Sequence, residues 1–271
     1  MITKQNLHTH SVFCDGKNTM EEMVIAAIDQ GFDSIGFSSH SYIDVLKDFS
    51  MSDGDAVKYK AEISRLKKRY KDIIQIFCGL EKDYNTSMGV SGYDYLLGSV
   101  HCMFVDGEPL FVDWDTDKLR HNVEDIFGGD GLAYAKFYYA EVARLVESGP
   151  VDIIAHFDLV TKFSERIEWF DTGSGEYKKA ATDAMDALVG KVPFFEVNTG
   201  AMARGYRTSP YPSEFLTQEF RKRGFKAVIT TDCHNKDLLS FGYECAKEHL
   251  CKCGYKEHYV LTNEGFQPVL L

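Results

Sequence analysis

The feature that most restricts the fold of this 271-residue chain is a regular alternation of short apolar, strand-type runs with segments of helical periodicity. Strand-type runs cover residues 34–38, 73–80, 93–100, 151–155, 193–197 and 227–231, and a short strand leads into Leu7-His8-Thr9-His10. Between them the spacing predicts helices. Thr19-Met20-Glu21-Glu22 reads as a capping box opening a helix to about Gln30, stopped by Gly31. Further helices are predicted over 53–70, 131–147, 176–189, 213–223 and 236–251, with a last strand at 259–261. Alternation of this kind predicts a mainly parallel sheet with helices outside it, and the length suits one barrel domain over 1–271. Residues 103–105 and 110–112, joined through Asp106-Gly107, predict a hairpin inserted as a wall or lid.

The strand ends carry a second pattern. His8 and His10, His40, Glu81, His101, His156, then Asp232 and His234 all fall at predicted C-terminal strand ends, and they include six of the nine histidines. In a parallel barrel those ends share one face, so residues distant in sequence converge. A His-x-His at the end of a strand aims both imidazoles to the same side. Asp15 follows after a turn closed by Gly16, and imidazole with carboxylate is the ligand set of a divalent transition metal. Any one of these histidines could be an ordinary core or loop residue; the whole set in this arrangement is not expected by accident. His121, His249 and His258 fall in predicted loops or helices and are expected at the surface.

Composition narrows the class. With 44% hydrophobic and 26% charged residues the chain reads as a globular protein, and it has no apolar run of membrane-spanning length. Residues 1–5 lack the apolar stretch of a signal peptide, so a cytoplasmic protein is expected. A net charge of −11 weighs against general affinity for nucleic-acid backbones, and an anionic substrate would need local positive charge. Seven cysteines without a regular framework suit reduced thiols. Cys251-Lys-Cys253 has no second pair to complete a structural zinc site.

The set Leu7-His8-Thr9-His10-Ser11, Ser39-His40, Gly79-Leu80-Glu81, Gly98-Ser99-Val100-His101, Ala155-His156-Phe157-Asp158 and Thr231-Asp232-Cys233-His234 closely resembles the polymerase and histidinol phosphatase (PHP) superfamily. Within it, the length and the stretches Glu196-Val197-Asn198-Thr199 and Ser209-Pro210-Tyr211-Pro212 are similar to the monofunctional histidinol-phosphate phosphatases. The resemblance implies a distorted, TIM-like α/β barrel of seven parallel strands, (β/α)7, with a trinuclear metal site at the C-terminal face. It implies His8, His10, Glu81 and Asp232 on a first ion, Glu81, His101 and His156 on a second, and Asp15, His40 and His234 on a third. Glu81 would bridge the first two. Many relatives carry a histidine near Asp15, which bears on metal preference; the family uses zinc, iron or manganese, and this ligand set accepts all three.

The implied reaction is hydrolysis of L-histidinol phosphate in histidine biosynthesis, by attack of a metal-bridging hydroxide on phosphorus. Clustered metals suit it because a phosphate dianion repels hydroxide and needs its charge neutralised. Asp232 or His234 could deliver a proton to the leaving alkoxide. Arg204 and Arg207, beyond Asn198, and Arg166, beyond His156, are candidate phosphate contacts, with Ser39 beside His40 as a hydroxyl donor. Residues 106–117, including Trp114, could offer carboxylate and aromatic surface to the histidinol end. Three alternatives stand beside this reading: another small phosphate ester or nucleotide as substrate, a noncatalytic metal-binding domain of the same kind, and a metal-dependent amidohydrolase. The last usually pairs its metals through a lysine on a middle strand, where this chain has Glu81. Oligomeric state is not set by the sequence.

Overall fold

The computed structural model describes residues 3–271. In chain order its strands are β1 (Gln5–Asn6), β2 (Ser34–Phe37), β3 (Gln75–Asp83), β4 (Tyr95–Ser99), β5 (Cys102–Val105), β6 (Glu108–Phe111), β7 (Ile153–Ile154), β8 (Phe194–Asn198), β9 (Lys226–Thr230), β10 (Glu257–Thr262) and β11 (Gly265–Leu270). The helices are α1 (Met20–Asp29), α2 (Asp53–Arg69), α3 (Thr116–His121), α4 (Gly131–Val142), α5 (Gly175–Leu188), α6 (Gly200–Ala203), α7 (Glu214–Lys222) and α8 (Tyr243–Lys252). The capping box expected at Thr19 forms, and two further helices are capped by serines. Thr19 Oγ1 accepts from the Glu22 amide at 3.2 Å while the Glu22 carboxylate accepts from the Thr19 amide at 2.8 Å, and Ser52 and Ser174 cap α2 and α5.

Seven strands form one parallel sheet in the order β1-β2-β3-β4-β7-β8-β9. The two ends of the sheet meet. Thr9 and Cys233 make a parallel bridge just beyond β1 and β9, through His10 N–H to Cys233 O (2.8 Å) and Cys233 N–H to His8 O (3.1 Å). Below it the Asn6 side chain accepts from the Thr231 amide at 3.2 Å, so a nearly closed (β/α)7 barrel results, as expected.

Within the strands lies a small apolar cluster of Phe77, Tyr95, Leu97, Ile153, Phe194 and Val228, joined by Val260 and Leu261 of β10. The outer strand faces pack on the helices through a larger core. Side-chain alternation makes Phe77, Gly79 and Glu81 successive steps up one face of β3, and Phe194, Glu196 and Asn198 up β8. Two residues separate apolar floor from polar site. Tyr95 occupies the middle of the barrel because its neighbours lack side chains: a Cβ on Gly79 would lie 2.2 Å from Tyr95 Cζ, and one on Gly36 2.4 Å from its hydroxyl oxygen. That hydroxyl donates to the carbonyls of Leu7 and Phe37, tying β4 to β1 and β2.

The inserted hairpin is β5–β6, and its turn holds Asp106 at φ 51° and Gly107 at φ 87°, the positive-φ pair that a two-residue loop requires. Other expectations are corrected. The helix expected over 236–251 is a 3-10 turn at Lys236–Leu238 followed by α8, because Gly242 breaks the helix with a left-handed backbone, φ 68°, against Thr199. The helix expected to reach 147 ends at Val142. β11 was not foreseen; its Gly and Pro weaken any strand signal, and pairing with β10 supplies the order. His249 and His258 are buried rather than on the surface, His249 within 2.9 Å of Thr217 Oγ1, whereas His121 is exposed and pairs with Asp125. All seven cysteines are free thiols. Among the described residues no helix is long and apolar enough to cross a membrane.

Gly79→Ala should force Tyr95 out of the barrel interior and lower unfolding stability by about 1–3 kcal/mol, the usual cost of overpacking. Urea denaturation checks this, and an unchanged midpoint would show that the Tyr95 ring is not locked by its neighbours.

Candidate metal centre

The eight residues expected from the strand ends and Asp15, from the turn after His10, come together at the C-terminal mouth of the barrel. Their donor atoms form four overlapping groups, each within 4.8 Å: His10, Asp15, His40 and His234; His8, Glu81 and His156; His8, His10 and Asp232; and His40, Glu81 and His101. Glu81 is the hub. Its Oε2 lies 2.8 Å from His40 Nδ1, 3.2 Å from His8 Nε2 and 3.5 Å from His10 Nε2, and its Oε1 lies 2.9 Å from His156 Nε2 and 3.2 Å from His101 Nε2. Asp15 holds the outer edge, 3.2 Å from His234 and 3.6 Å from His40. His101 and His156 fall in different groups and meet through Glu81, while the set implied for a third ion gathers His10 as well.

Local backbone explains the aim of several donors. The His40–Glu81 bridge continues the β2–β3 pairing past the end of β2 and keeps both side chains at the mouth. His101 is fixed by its amide, which donates to Asp83 Oδ2 at 2.8 Å, and its Nδ1 lies 3.3 Å from the same oxygen. Asp232 adopts φ 46°, a left-handed backbone uncommon for aspartate, which marks a conformation imposed by its surroundings. Arg204 clamps it, donating to Asp232 Oδ2 at 2.8 Å and to its carbonyl at 3.1 Å.

Electrostatics test whether divalent cations suit these donors. His8 Nε2, His10 Nε2, Asp15 Oδ1 and Glu81 Oε2 are buried without a hydrogen-bond partner. Burying such atoms unpaired is costly, and each belongs to one or more of the four overlapping groups. Positive ions between them would satisfy the lot, and the mixed imidazole and carboxylate set is the chemistry a divalent transition metal prefers. Burial pushes the Glu81 carboxyl up, but His40, His8 and His101 outweigh it and hold it well below the usual range; Arg204 and His8 do the same for Asp232. Burial also disfavours charge on His8, His40 and His101, yet the facing carboxylates, Glu196 and Glu81 foremost, raise all three above the ordinary imidazole value. His10 goes the other way, down to about 3, through burial and the neighbouring His234 and His40.

Above the donors opens a cavity of about 430 Å³. Lys17, Lys162 and Arg204 bring positive charge to its wall, and Ile43, Leu46, Phe49 and Trp114 form an apolar side. Trp114 lies between Phe49 and Phe111, with ring centroids 5.1 and 5.0 Å away. Asp113 stands beside it, and Lys162 Nζ donates to the Asp113 carbonyl at 2.6 Å and carboxylate at 3.1 Å. Burial opposes ionisation of Asp113, but Lys162 and His101 bring its carboxyl down to about 2.

Three expected substrate contacts do not line this cavity, and each has a physical reason. Ser39 is next to His40 and so faces the opposite side, where it is fully buried near Tyr59. Arg207 is drawn inward by Asp158 at 3.7 Å, by the Thr161 hydroxyl and by the Tyr211 ring. Arg166 donates to the Gly205 carbonyl at 2.7 Å and stacks on Tyr206. Asp113 and Trp114, from the 106–117 segment expected to offer carboxylate and aromatic surface, do line the cavity, whereas Lys17, Lys162, Asp83 and Glu196 had no assigned role. Glu196 carries the one legible signal among them, a carboxylate inside an apolar strand run.

A parallel barrel with a histidine and carboxylate cluster at its strand ends defines a metal-site architecture, and the comparisons agree. The PHP domain model matches residues 6–200, and the chain belongs to this family. It is 28% identical to a protein of Schizosaccharomyces pombe named "Probable histidinol-phosphatase", over 91% of this chain and 86% of that one. It is 26% identical to the histidinol-phosphatase of Bacillus subtilis, over 91% and 99%. Among solved structures, histidinol phosphate phosphatase from Lactococcus lactis, complexed with zinc, L-histidinol and phosphate, superposes with a TM-score of 0.75. That match covers 98% of this chain and all of the other; at 20% identity it is a likeness of fold.

Raised imidazoles have a measurable consequence. A metal donor must be neutral, so ions entering the metal-free cluster displace protons from His8, His40 and His101. Zinc titrations in two buffers of different ionisation enthalpy should show net proton release near pH 7, with affinity rising from about pH 6 to 8. Zinc binding without proton release would show these imidazoles to be neutral beforehand.

Proposed function

We propose that this chain, as one barrel domain over residues 1–271, is a metal-dependent phosphomonoesterase that hydrolyses L-histidinol phosphate to L-histidinol and phosphate. The observation that carries the reading is the nine-donor cluster at the floor of a cavity whose lining also brings cationic, acidic and aromatic side chains together. Relatives named histidinol-phosphatase that align with 91% of the chain support the choice of substrate. On this reading the protein serves histidine biosynthesis in the cytoplasm and acts on a small molecule rather than a nucleic acid.

His8, His10, Asp15, His40, Glu81, His101, His156, Asp232 and His234 would hold three divalent ions, zinc, iron or manganese, with Glu81 shared between two. Bound there, such ions supply Lewis-acid polarisation of the phosphoryl group and a water acidic enough to ionise near neutral pH. Arg204, with one guanidinium edge on Asp232 and a place in the cavity wall, meets phosphate oxygens; its planar donors suit that contact. Lys17 and Lys162 add positive charge that an acidic protein must concentrate locally. Asp232 and His234 line the cavity; as metal ligands they would bring no proton of their own, and their part would be to relay one from water to the leaving alkoxide oxygen. At the other end Asp113 accepts from the histidinol ammonium and Trp114 offers its ring to the imidazole.

Phosphate release should be measured from L-histidinol phosphate, an aryl phosphate and a 3′,5′-nucleoside bisphosphate, with metal content determined on the same sample. Strong preference for the first is expected. Similar slow rates on all three would move the substrate elsewhere, and no release from fully metallated protein would favour a noncatalytic domain. Glu81→Ala should abolish turnover and lower metal content, and full activity in that variant would sink the shared-carboxylate mechanism. Asp113→Asn should raise KM for L-histidinol phosphate about 10-fold, the scale of one hydrogen bond between charged groups, while the aryl phosphate is little affected. Equal loss on both substrates would mean that Asp113 acts through Lys162 instead.

A further inference from the structure

Behind His8 stands a carboxylate that belongs to none of the donor groups. Glu196, on β8, is 0% exposed and accepts four hydrogen bonds. Oε2 lies 2.8 Å from His8 Nδ1 and takes the Thr230 hydroxyl at 2.8 Å; Oε1 takes the backbone N–H of His156 and the Asn198 side-chain amide, both at 2.7 Å. A carboxylate has about four acceptor sites, so these contacts use its capacity and leave nothing to face a cation.

The geometry reaches His8 through proton placement. An ionised carboxylate cannot donate, so the 2.8 Å contact requires the proton of a neutral His8 to sit on Nδ1. The lone pair then lies on Nε2, a buried atom without a hydrogen-bond partner, 3.2 Å from Glu81 Oε2 and 3.6 Å from Asp232 Oδ1. Through Oε1 the same side chain pins the backbone of His156, whose imidazole approaches Glu81 from β7. One carboxylate thus orients two donors that come from different strands.

We propose that Glu196 is a positioning residue that fixes the Nδ1–H tautomer and donor strength of His8, and thereby sets the affinity of the cluster for divalent cations. This rests on the metal-binding reading above. Partners of this kind tune metal affinity by about 10–100-fold. Glu196→Gln keeps the shape but turns one oxygen into an N–H donor. If the amide faces His156 and Asn198, donor meets donor; if it faces His8, it favours the Nε2–H tautomer, which has no lone pair for a metal.

The test uses zinc alone as probe. Metal-free wild type and Glu196→Gln are titrated against a competing chromophoric chelator, and thermal unfolding of both metal-free proteins is recorded. The expected result is zinc binding weakened about 10–100-fold in at least one equivalent, by a metal-free variant that still unfolds in one cooperative transition above the titration temperature. A second measurement needs no variant: nitrogen-15 NMR of the zinc-loaded wild type should show His8 protonated at Nδ1. Wild-type zinc affinity in the glutamine variant, or an Nε2–H tautomer in the loaded wild type, would overturn the proposal. If the variant does not fold, the wild-type tautomer decides. A wild type that binds no zinc would overturn the metal reading and this proposal with it.

Discussion

Glu81 is a carboxylate buried at the top of a nearly closed barrel, and a buried charge is tolerated only with close partners of opposite sign or strong hydrogen bonding. Five imidazoles within 3.5 Å supply them: His8, His10, His40, His101 and His156. They arrive from β1, β2, β4 and β7, so no two neighbouring strands can slip by a residue without turning a donor to the wrong face. The strand register and the charge cluster therefore specify each other. Packing below enforces the same register, since Tyr95 fits against Gly36 and Gly79 in one alignment. Closing the sheet through Thr9 and Cys233 brings Asp232 and His234, from the far end of the chain, to the histidines near its start.

Charge is distributed against the protein's net balance. A chain of net charge −11 collects Lys17, Lys162 and Arg204 around one cavity, and the acidic groups there are already engaged by imidazoles or by these cations. Local fields in a low-dielectric cleft outweigh distant charges screened by solvent. The cavity thus gathers three cationic side chains beside five carboxylates, two of which they engage directly. The hairpin β5–β6, expected as a wall or lid, lines none of the cavity; the loop after it does, with Asp113 held by Lys162 and Trp114 packed between Phe49 and Phe111.

Sequence alone determined the barrel, the capping box at Thr19, the Asp-Gly hairpin and the gathering of nine donor residues. These follow from signals with a short period: two residues along a strand, between three and four along a helix, and a polar residue where each apolar run stops. Tertiary structure decided what depends on neighbours distant in sequence. It turned Arg207 inward to Asp158, buried Ser39 behind His40, gave Glu196 its four donors and placed Lys162 against Asp113. It also ordered β11 and covered His249 and His258. A residue's type and spacing show which face of an element it occupies. Its partner across the barrel is set by register and closure, and that partner decides whether an arginine meets substrate or a buried aspartate, and which nitrogen of a histidine keeps its lone pair.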